Sequence, residues 1–510
     1  MPDDLYGGWA GFETAPMTRG AIACGNPDAA EAGVEVYRAG GNAIDACVAA
    51  AFAMGVVEPL DSGLGAGGFM VLHHAATNST TCLDFMGTAP ANARYEIFPA
   101  VDPTGDYAIK VKGRANEDAH TSVAVPGAAA GLCLAIERFG ALDRRAVMAP
   151  AIRLGREGFT VAAKSALRMK RSERLLDLTA ECRRVLKRPD GTVRQAGDHM
   201  KMTDYAASLE LVAERGAQVM YTGALAQAIA EEMRAAGGFL TAEDLAGYAV
   251  VHRTPPKGRY RGHELSVMAP PSSGFLVASA LGALERAGVP DTDKGRAEAL
   301  ARVMLAMFER RRVGLGDPGF VPVKLDGEST ETTSLSAIDA EGNGCTITFS
   351  NNNHSGVVVP GTGILLNNQM RLFHPWPGSP NSVAGGKRPA SSMMPSLIVA
   401  DGKAVLSIGA SGATRIPTAI LQILFHHLGR GLPLNEAVRE PRLHAEEDTL
   451  MSDADYEPIA SAVATELGLT YRAHPGRDPM MASCQSISVN ADGTTTAAGD
   501  PRARAQGRVV

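Results

Sequence analysis

Thr332-Thr333-Ser334-Leu335-Ser336-Ala337-Ile338-Asp339 reads as the first strand of a β-hairpin lying deep inside the chain. Polar and apolar residues alternate from Ser334 to Ala337. Ala340-Glu341-Gly342-Asn343-Gly344 supplies turn residues, and Cys345-Thr346-Ile347-Thr348-Phe349-Ser350 resumes a β-rich pattern. A turn centred near Glu341 sets Ser350 opposite Thr332. Cleavage before Thr332 then yields a free α-amine and a hydroxyl on one residue, with Ser350 and Asn352 as polar neighbours. Those are the parts of an N-terminal nucleophile whose own amine is the base. Thr and Ser are also ordinary strand residues, so the same pattern describes a purely structural hairpin.

The 510 residues, 45% of them hydrophobic, suffice for two conventional domains or one large layered one. Lys plus Arg total 49 against 55 for Asp plus Glu, and a net charge of -6 gives no general attraction to nucleic acid or to an anionic membrane. Small-molecule chemistry is the expected class. The cationic cluster from Arg168 to Arg194 is interrupted by Leu175, Leu176, Leu178 and Val185 at helical spacing, the pattern of a solvated helical face. Met1 to Tyr6 shows no basic segment followed by an apolar core, so a cytoplasmic protein is expected. The apolar stretch from Ala46 to Val57 is too short to span a bilayer and reads as a buried helix. Seven cysteines stand singly, without CxxC spacing, which indicates buried thiols rather than a disulfide framework or a zinc site. His73-His74 and His426-His427 are adjacent pairs, whose side chains diverge on a helix or strand, and His354 reads as a loop residue.

Asn26-Pro27-Asp28 offers an N-cap with proline in the first helical position, and Gly40-Gly41 ends that helix. A second helix runs from about Ile44 to Val57. It is followed by Ser62-Gly63-Leu64-Gly65-Ala66-Gly67-Gly68 and a strand over Phe69–His73. The glycines match GxGxxG, yet a dinucleotide site needs strand, loop, then helix, and here the order is reversed. Close backbone packing or a ligand-facing turn is the better reading. From Ala124 to about Tyr248 the pattern is mostly helical. Gly361 to Asn368 reads as a turn feeding a strand, and Arg388-Pro389-Ala390-Ser391-Ser392 as a loop with adjacent hydroxyls, which is equally a plain polar turn. A strand over Ala404–Ile408, the loop Gly409-Ala410-Ser411-Gly412-Ala413-Thr414-Arg415 and a helix starting near Pro417 complete a layout that suits anion binding at backbone amides. No lysine follows the last glycine, so the loop is an oxyanion hole or a structural turn rather than a nucleotide site.

Taken in order, Gly40-Gly41-Asn42-Ala43-Ile44-Asp45-Ala46, Val57-Glu58-Pro59 with the glycine loop, Thr88-Ala89-Pro90, Val125-Pro126-Gly127, Pro270-Pro271-Ser272-Ser273-Gly274, Thr332-Thr333 with Ser336, Gly363 to Met370 and Arg388-Pro389 with Ser391-Ser392 resemble the γ-glutamyltranspeptidase family over nearly the whole chain. The resemblance implies an α+β, four-layer αββα N-terminal-nucleophile sandwich. It implies a precursor that cuts itself between Glu331 and Thr332 into a large subunit (1–331) and a small one (332–510), and it allows a dimer of processed heterodimers. It implies acyl transfer through Thr332 from a small amide substrate to water or an amine, with no metal or organic cofactor. By the same matching, Ser350 and Asn352 support the nucleophile and contact substrate. Asn368 and Gln369 lie in a substrate-facing turn, Ser391 and Ser392 hold a substrate carboxylate, and the amides of Gly412 and Ala413 form the oxyanion hole. The family has two glycines at that last pair.

Other departures bear on substrate choice. Met86 stands where the family places an arginine for the substrate's α-carboxylate, and Leu372, beside Arg371, where an acidic residue grips the α-amine. Losing one buried charge partner commonly costs about 2–5 kcal/mol, so γ-glutamyl recognition is expected to be crippled. The expected acyl group is a different small acid, oxamate-like or glutaryl-like, anchored by Arg371 or Arg415. The link from Phe320 to Thr332 is also much shorter than the family's. The rival expectations are a true γ-glutamyl hydrolase or transferase with relocated anchors, and an uncleaved, non-catalytic homologue.

Overall fold

The computed structural model describes residues 11–99, 111–320, 332–474, 476 and 479–510. The expected cleavage link, Glu331 included, lies outside them.

Two seven-stranded antiparallel sheets dominate. The first runs Gln506–Val509, Gly20–Cys24, Thr333–Asp339, Gly344–Ser350, Gly67–His74, Ser79–Phe85, Val251–Arg253. The second runs Phe12–Pro16, Thr494–Gly499, Ser483–Val489, Lys403–Ser411, Ser396–Ala400, His263–Val267, Lys257–Tyr260. The expected hairpin is the centre of the first sheet. Thr333 pairs with Phe349 and Ile338 with Gly344, a register that turns about Glu341 and, carried one step outward, sets Thr332 against Ser350.

Alternation along this hairpin assigns its two faces. Leu335, Ala337, Ile347 and Phe349 face helices, in one apolar cluster with Ala43–Val57, a helix buried along its whole length. Each fully buried large apolar side chain there contributes roughly 1.5–3 kcal/mol. The polar face meets the second sheet instead of water. Ser336 Oγ donates to Gln485 O at 2.9 Å, and the Thr346 and Ser407 hydroxyls are 2.6 Å apart. Gly409 comes so close that a Cβ there would lie 2.3 Å from Ser334 Oγ. On its far side the second sheet is covered by helices Gly274–Ala287, Asp293–Arg312, Arg415–Leu424 and Glu457–Leu467. The layers are therefore helix, sheet, sheet, helix.

The helical expectations hold near the start. Asn26 caps helix Pro27–Arg38 by accepting from Asp28 N, and Asn42 with Asp45 forms a capping box on helix Ala43–Val57. Helices Ala128–Phe139, Arg144–Glu157, Thr203–Arg215 and Ala224–Ala236 fill the expected helical layer. The glycine loop is close packing: a Cβ on Gly65 would sit 2.1 Å from Leu365 O, and one on Gly68 2.4 Å from Phe349 Cβ. One expectation is corrected. Gly361 to Asn368 feeds no strand and makes only an isolated bridge, Val358 to Leu365. A few backbone bonds pair it with the preceding loop, Leu366 N donating to Val357 O and Val359 N to Ile364 O, and side chains add to them: Asn367 Nδ2 donates to Gly65 O and Ala124 O, and Ser355 Oγ to Leu366 O.

Candidate active site

Thr332 is half-buried at the start of the hairpin, on the wall of a cavity of about 320 Å³ that it shares with Gly412, Ala413 and Arg415. Residues far apart in sequence meet here because the strand that follows Thr332 and the strand ending at Ser411 lie in facing sheets. Gly412 has φ 134° and Ala413 φ 62°. A Cβ on Gly412 would come within 2.6 Å of Ala482 Cα, so only glycine fits that position. Ala413 holds its left-handed conformation at a cost of about 1–2 kcal/mol. The carbonyls of these two residues accept from Arg415 N and Ile416 N. Neither Gly412 N–H nor Ala413 N–H donates to another described residue. Two free amides at a helix start beside a threonine hydroxyl have the chemistry of an oxyanion hole.

Behind Thr332 lies a rigid amide network. Ser350 Oγ accepts from Asn352 N at 2.7 Å, and Asn352 Nδ2 donates to Asn368 Oδ1 at 2.8 Å. Asn368 Nδ2 donates to Glu117 O, while Gln369 Nε2 donates to Ser350 O and its Oε1 accepts from Gly87 N. All four side chains are buried. Ser350, Asn352, Asn368 and Gln369 are thus brought together as expected, linking the hairpin end to the following turn. His354, in the same loop, is fully buried with φ 52° and accepts from Gly356 N through Nδ1. Burial first, then the charge of Arg168, push its pKa down to about 3, so the ring stays neutral.

Ser391 and Ser392 sit in a buried loop bridged to Ser272. Ser273 Oγ donates to Ser391 O, and the fully buried Arg311 donates through Nη1 to Ser392 Oγ at 2.8 Å and to Ser273 Oγ. Arg311 was missed in the sequence, although a signal existed. The buried stripe Ala297, Leu300, Ala301, Met304, Met307, Phe308 continues at helical spacing to Arg311.

Met86 and Leu372 are buried in the apolar cluster of the second sheet, so neither position carries a charge or lines the cavity. Arg371 is half-buried and also off the cavity wall. Of the two arginines considered as anchors, only Arg415 reaches the cavity. The solvated-face reading of the Arg168–Arg194 cluster needs a correction at its first turns. Lys164, Leu167, Arg168 and Arg171 share one face of helix Ala163–Arg171, and that face is cavity wall. Lys164 pairs with Glu58 at 2.6 Å and Arg168 with Asp61 at 3.2 Å. Burial, and secondarily the neighbouring Arg171, lower the pKa of Arg168 against the pull of Asp61. Farther along, Arg174, Arg183, Arg184 and Arg188 are ion-paired on the surface, as expected of a solvated face.

The family model described as Gamma-glutamyltranspeptidase matches residues 29–327 and 324–510. The chain belongs to the γ-glutamyltranspeptidase family. It is 33% identical over 544 residues to a glutathione hydrolase proenzyme of Escherichia coli (strain K12), covering 96% of this chain and 92% of that protein. It is 34% identical over 531 residues to the acylase ACY 1 proenzyme of Pseudomonas sp. (strain V22), covering 95% and 93%. A solved cephalosporin acylase from Bacillus halodurans superposes with a TM-score of 0.86 over 97% of this chain and 96% of that one; at 24% identity this shows the shared fold alone. The Helicobacter pylori γ-glutamyltranspeptidase structure gives a TM-score of 0.54 at 32% identity, covering 58% of this chain and 84% of that one. This γ-glutamyltranspeptidase-family chain is therefore an enzyme of the N-terminal-nucleophile amidohydrolase and acyltransferase class, and its sandwich is the fold of that class.

Proposed function

We propose that the chain is a proenzyme that cuts itself before Thr332 and then hydrolyses or transfers the acyl group of a small amide that is not γ-glutamyl. In the precursor the Thr332 hydroxyl attacks the Glu331 carbonyl, turning the amide into an ester. Water opens the ester, leaving a carboxylate on Glu331 and a free α-amine on Thr332. That amine, with an ordinary pKa of about 7.7–8.0, takes the hydroxyl proton when Thr332 attacks a substrate amide. The proton passes to the departing amine. Each amide of Gly412 and Ala413 stabilises the oxyanion by roughly 3 kcal/mol, and water or a second amine releases the acyl group.

The observation that carries the reading is the burial of Met86 and Leu372 in apolar surroundings, on the positions where family members hold an α-carboxylate and an α-ammonium. The buried hydroxyls of Ser391 and Ser392, the latter backed by Arg311, remain to hold a carboxylate. An acid without an α-ammonium, glutaryl-like or oxamate-like, fits that set. The acylase among the relatives and the glutathione hydrolase beside it frame the two choices of acyl group. The test pairs glutaryl and γ-glutamyl 4-nitroanilides, with intact mass measured first. Two fragments meeting at 331/332, their absence in Thr332→Ala, and a kcat/KM favouring the glutaryl substrate are expected. A full-length chain that hydrolyses amides, or a preference for γ-glutamyl, sinks the reading.

A further inference from the structure

The proposed mature enzyme takes its base from the α-amine of Thr332, but the cut that creates that amine has to proceed without it. In the precursor the same nitrogen is tied up in a peptide bond and cannot accept a proton. Self-cleavage therefore needs a second proton acceptor beside the Thr332 hydroxyl. His354 does not supply it, being fully buried, off the cavity wall and already accepting from Gly356 N through Nδ1. Among the described residues the cavity wall carries two carboxylates, Glu58 and Asp61, and its other charged groups are Lys164, Arg168, Arg171 and Arg415.

The sheet draws the loop that bears these acids across the strand end where Thr332 stands. Strand Thr333–Asp339 lies between Gly20–Cys24 and Gly344–Ser350. Its pairing of Leu335 with Cys24, carried outward, sets Thr333 beside Asn26, and Asn26 Nδ2 donates to Glu58 Oε1 at 3.1 Å. On the other flank Asn351, the residue after Ser350, donates through N to Asp61 O at 2.9 Å and through Nδ2 to Pro59 O at 3.1 Å. Residues 58–61 are thereby tied to both neighbouring strands and pass over the end of the middle one.

Glu58 is the better base of the two acids. Its carboxylate is more deeply buried than that of Asp61, which is engaged by Arg168 at 3.2 Å. Burial raises the pKa of Glu58 against the pull of Lys164, which makes it a stronger proton acceptor than an ordinary carboxylate. Asn26 Nδ2 and Lys164 Nζ, the latter at 2.6 Å, both meet Oε1, so Oε2 is the oxygen left to the cavity. Lys164 is itself fixed by donating to Gly25 O.

We propose that Glu58 is the general base of self-cleavage, receiving the Thr332 hydroxyl proton directly or through one water, with Asn26 and Lys164 as its positioning residues. The proposal rests on Thr332 being the nucleophile and supplies the group that its precursor lacks. As Thr332 Oγ bonds to the preceding carbonyl carbon, its proton moves to Glu58. The C–N bond then breaks and the proton passes to the departing nitrogen, leaving an ester and a free amine. Glu58 next takes a proton from the water that adds to the ester carbonyl, and returns it to Thr332 Oγ as that bond opens. The charged and titratable groups that face Glu58 are Asp61 on its own loop, Cys24 on the neighbouring strand, and Lys164 with Arg168 on helix Ala163–Arg171.

Self-cleavage is followed on the full chain, synthesised cell-free in a short labelled pulse and then held at about pH 4.5 to pH 8 while full-length chain and fragments are resolved on a denaturing gel. The unaltered chain is expected to cut faster as pH rises and to level off above the folded value of Glu58, which lies above the usual value of about 4.3. Glu58→Gln keeps an oxygen for Asn26 and Lys164. It is expected to slow the cut by about 100-fold and to lose that pH limb, while Asp61→Asn keeps the limb. Glu58→Ala with added formate should regain about fivefold or more of the lost rate, which a merely structural residue would not. Glu58→Gln cutting within about threefold of the unaltered chain overturns the proposal alone, as does a slowed cut that keeps its pH limb and ignores formate. If circular dichroism shows the variants unfolded, the unaltered chain decides: a rate flat across that range overturns the proposal and an acid limb upholds it. An unaltered chain that stays whole, or Thr332→Ala that is still cut, overturns the Thr332 reading and this proposal together.

Discussion

Ala413 shows how a single residue can depart from a family pattern and keep its chemistry. The oxyanion role proposed for it belongs to its backbone amide, which survives replacement of glycine, while φ 62° strains any residue with a Cβ. Ala413→Gly is therefore expected to raise the denaturation midpoint by an amount equivalent to about 1 kcal/mol or less, since relief of strain is partly offset by a more flexible unfolded chain. kcat should stay within about threefold if that amide does stabilise the oxyanion. A falling midpoint contradicts the strain argument. Arg311 is the opposite case, a residue whose side chain matters because of what it orients. By donating to Ser392 Oγ and Ser273 Oγ it fixes the position of both hydroxyls. Arg311→Lys should raise KM for a carboxylate-bearing acyl substrate more than it lowers kcat, whereas a purely structural role lowers activity toward acidic and neutral acyl groups alike.

Elements differ in how far local pattern determines them. The hairpin was legible to the residue, including its register about Glu341, because alternation, turn composition and length all agree and no distant contact is needed to choose the pairing. The caps at Asn26 and Asn42 were legible for the same reason. The turn before Asn368 was not. Beside its few local backbone bonds, it is anchored by Asn367, whose amide bonds to Gly65 and Ala124, partners more than 240 residues away. Helix Ala163–Arg171 misled differently, since charges at i, i+4 and i+7, here Lys164, Arg168 and Arg171, describe a solvated face and a polar cavity wall equally well. The glycine loop and the Asn367 turn form one packed unit. Gly65→Ala should force Leu365 away and cost about 1–3 kcal/mol in urea denaturation, with catalysis falling as Gln369 loses its grip on Ser350 O. A neutral result there removes the argument that the glycines exist for close approach.

Across the whole molecule, a buried ion network braces the site from behind. Arg442 donates to Asp500 Oδ2 and to Ala482 O, and Ala482 is the residue against which Gly412 packs. Burial raises the pKa of Asp500, but Arg442 and Arg502 outweigh it, and the net shift is downward. Its stabilisation is thus fully present above the unfolded value of about 3.9 and is lost as pH falls through the depressed folded value. Asp45, Asp84 and Asp339, raised by burial, act with the opposite sign just above that window. Overall midpoints therefore mix the two, and amide hydrogen exchange at Ala482 to Cys484 is the cleaner observable. Protection there should begin to fall once the pH drops below the unfolded carboxylate value of about 3.9 and keep falling as Asp500 protonates, and protection that does not change as the pH is lowered through that range argues against the brace. The missing Cβ of Gly409 has a wider consequence. This residue touches Ser334, and the two belong to the strands that lead to Gly412 and from Thr332 in separate sheets. They act as a spacer gauge: the thickness of one hydroxymethyl group fixes how far apart the two halves of the proposed site stand. The distance between those halves is in that way set by smallness at two places off the cavity wall.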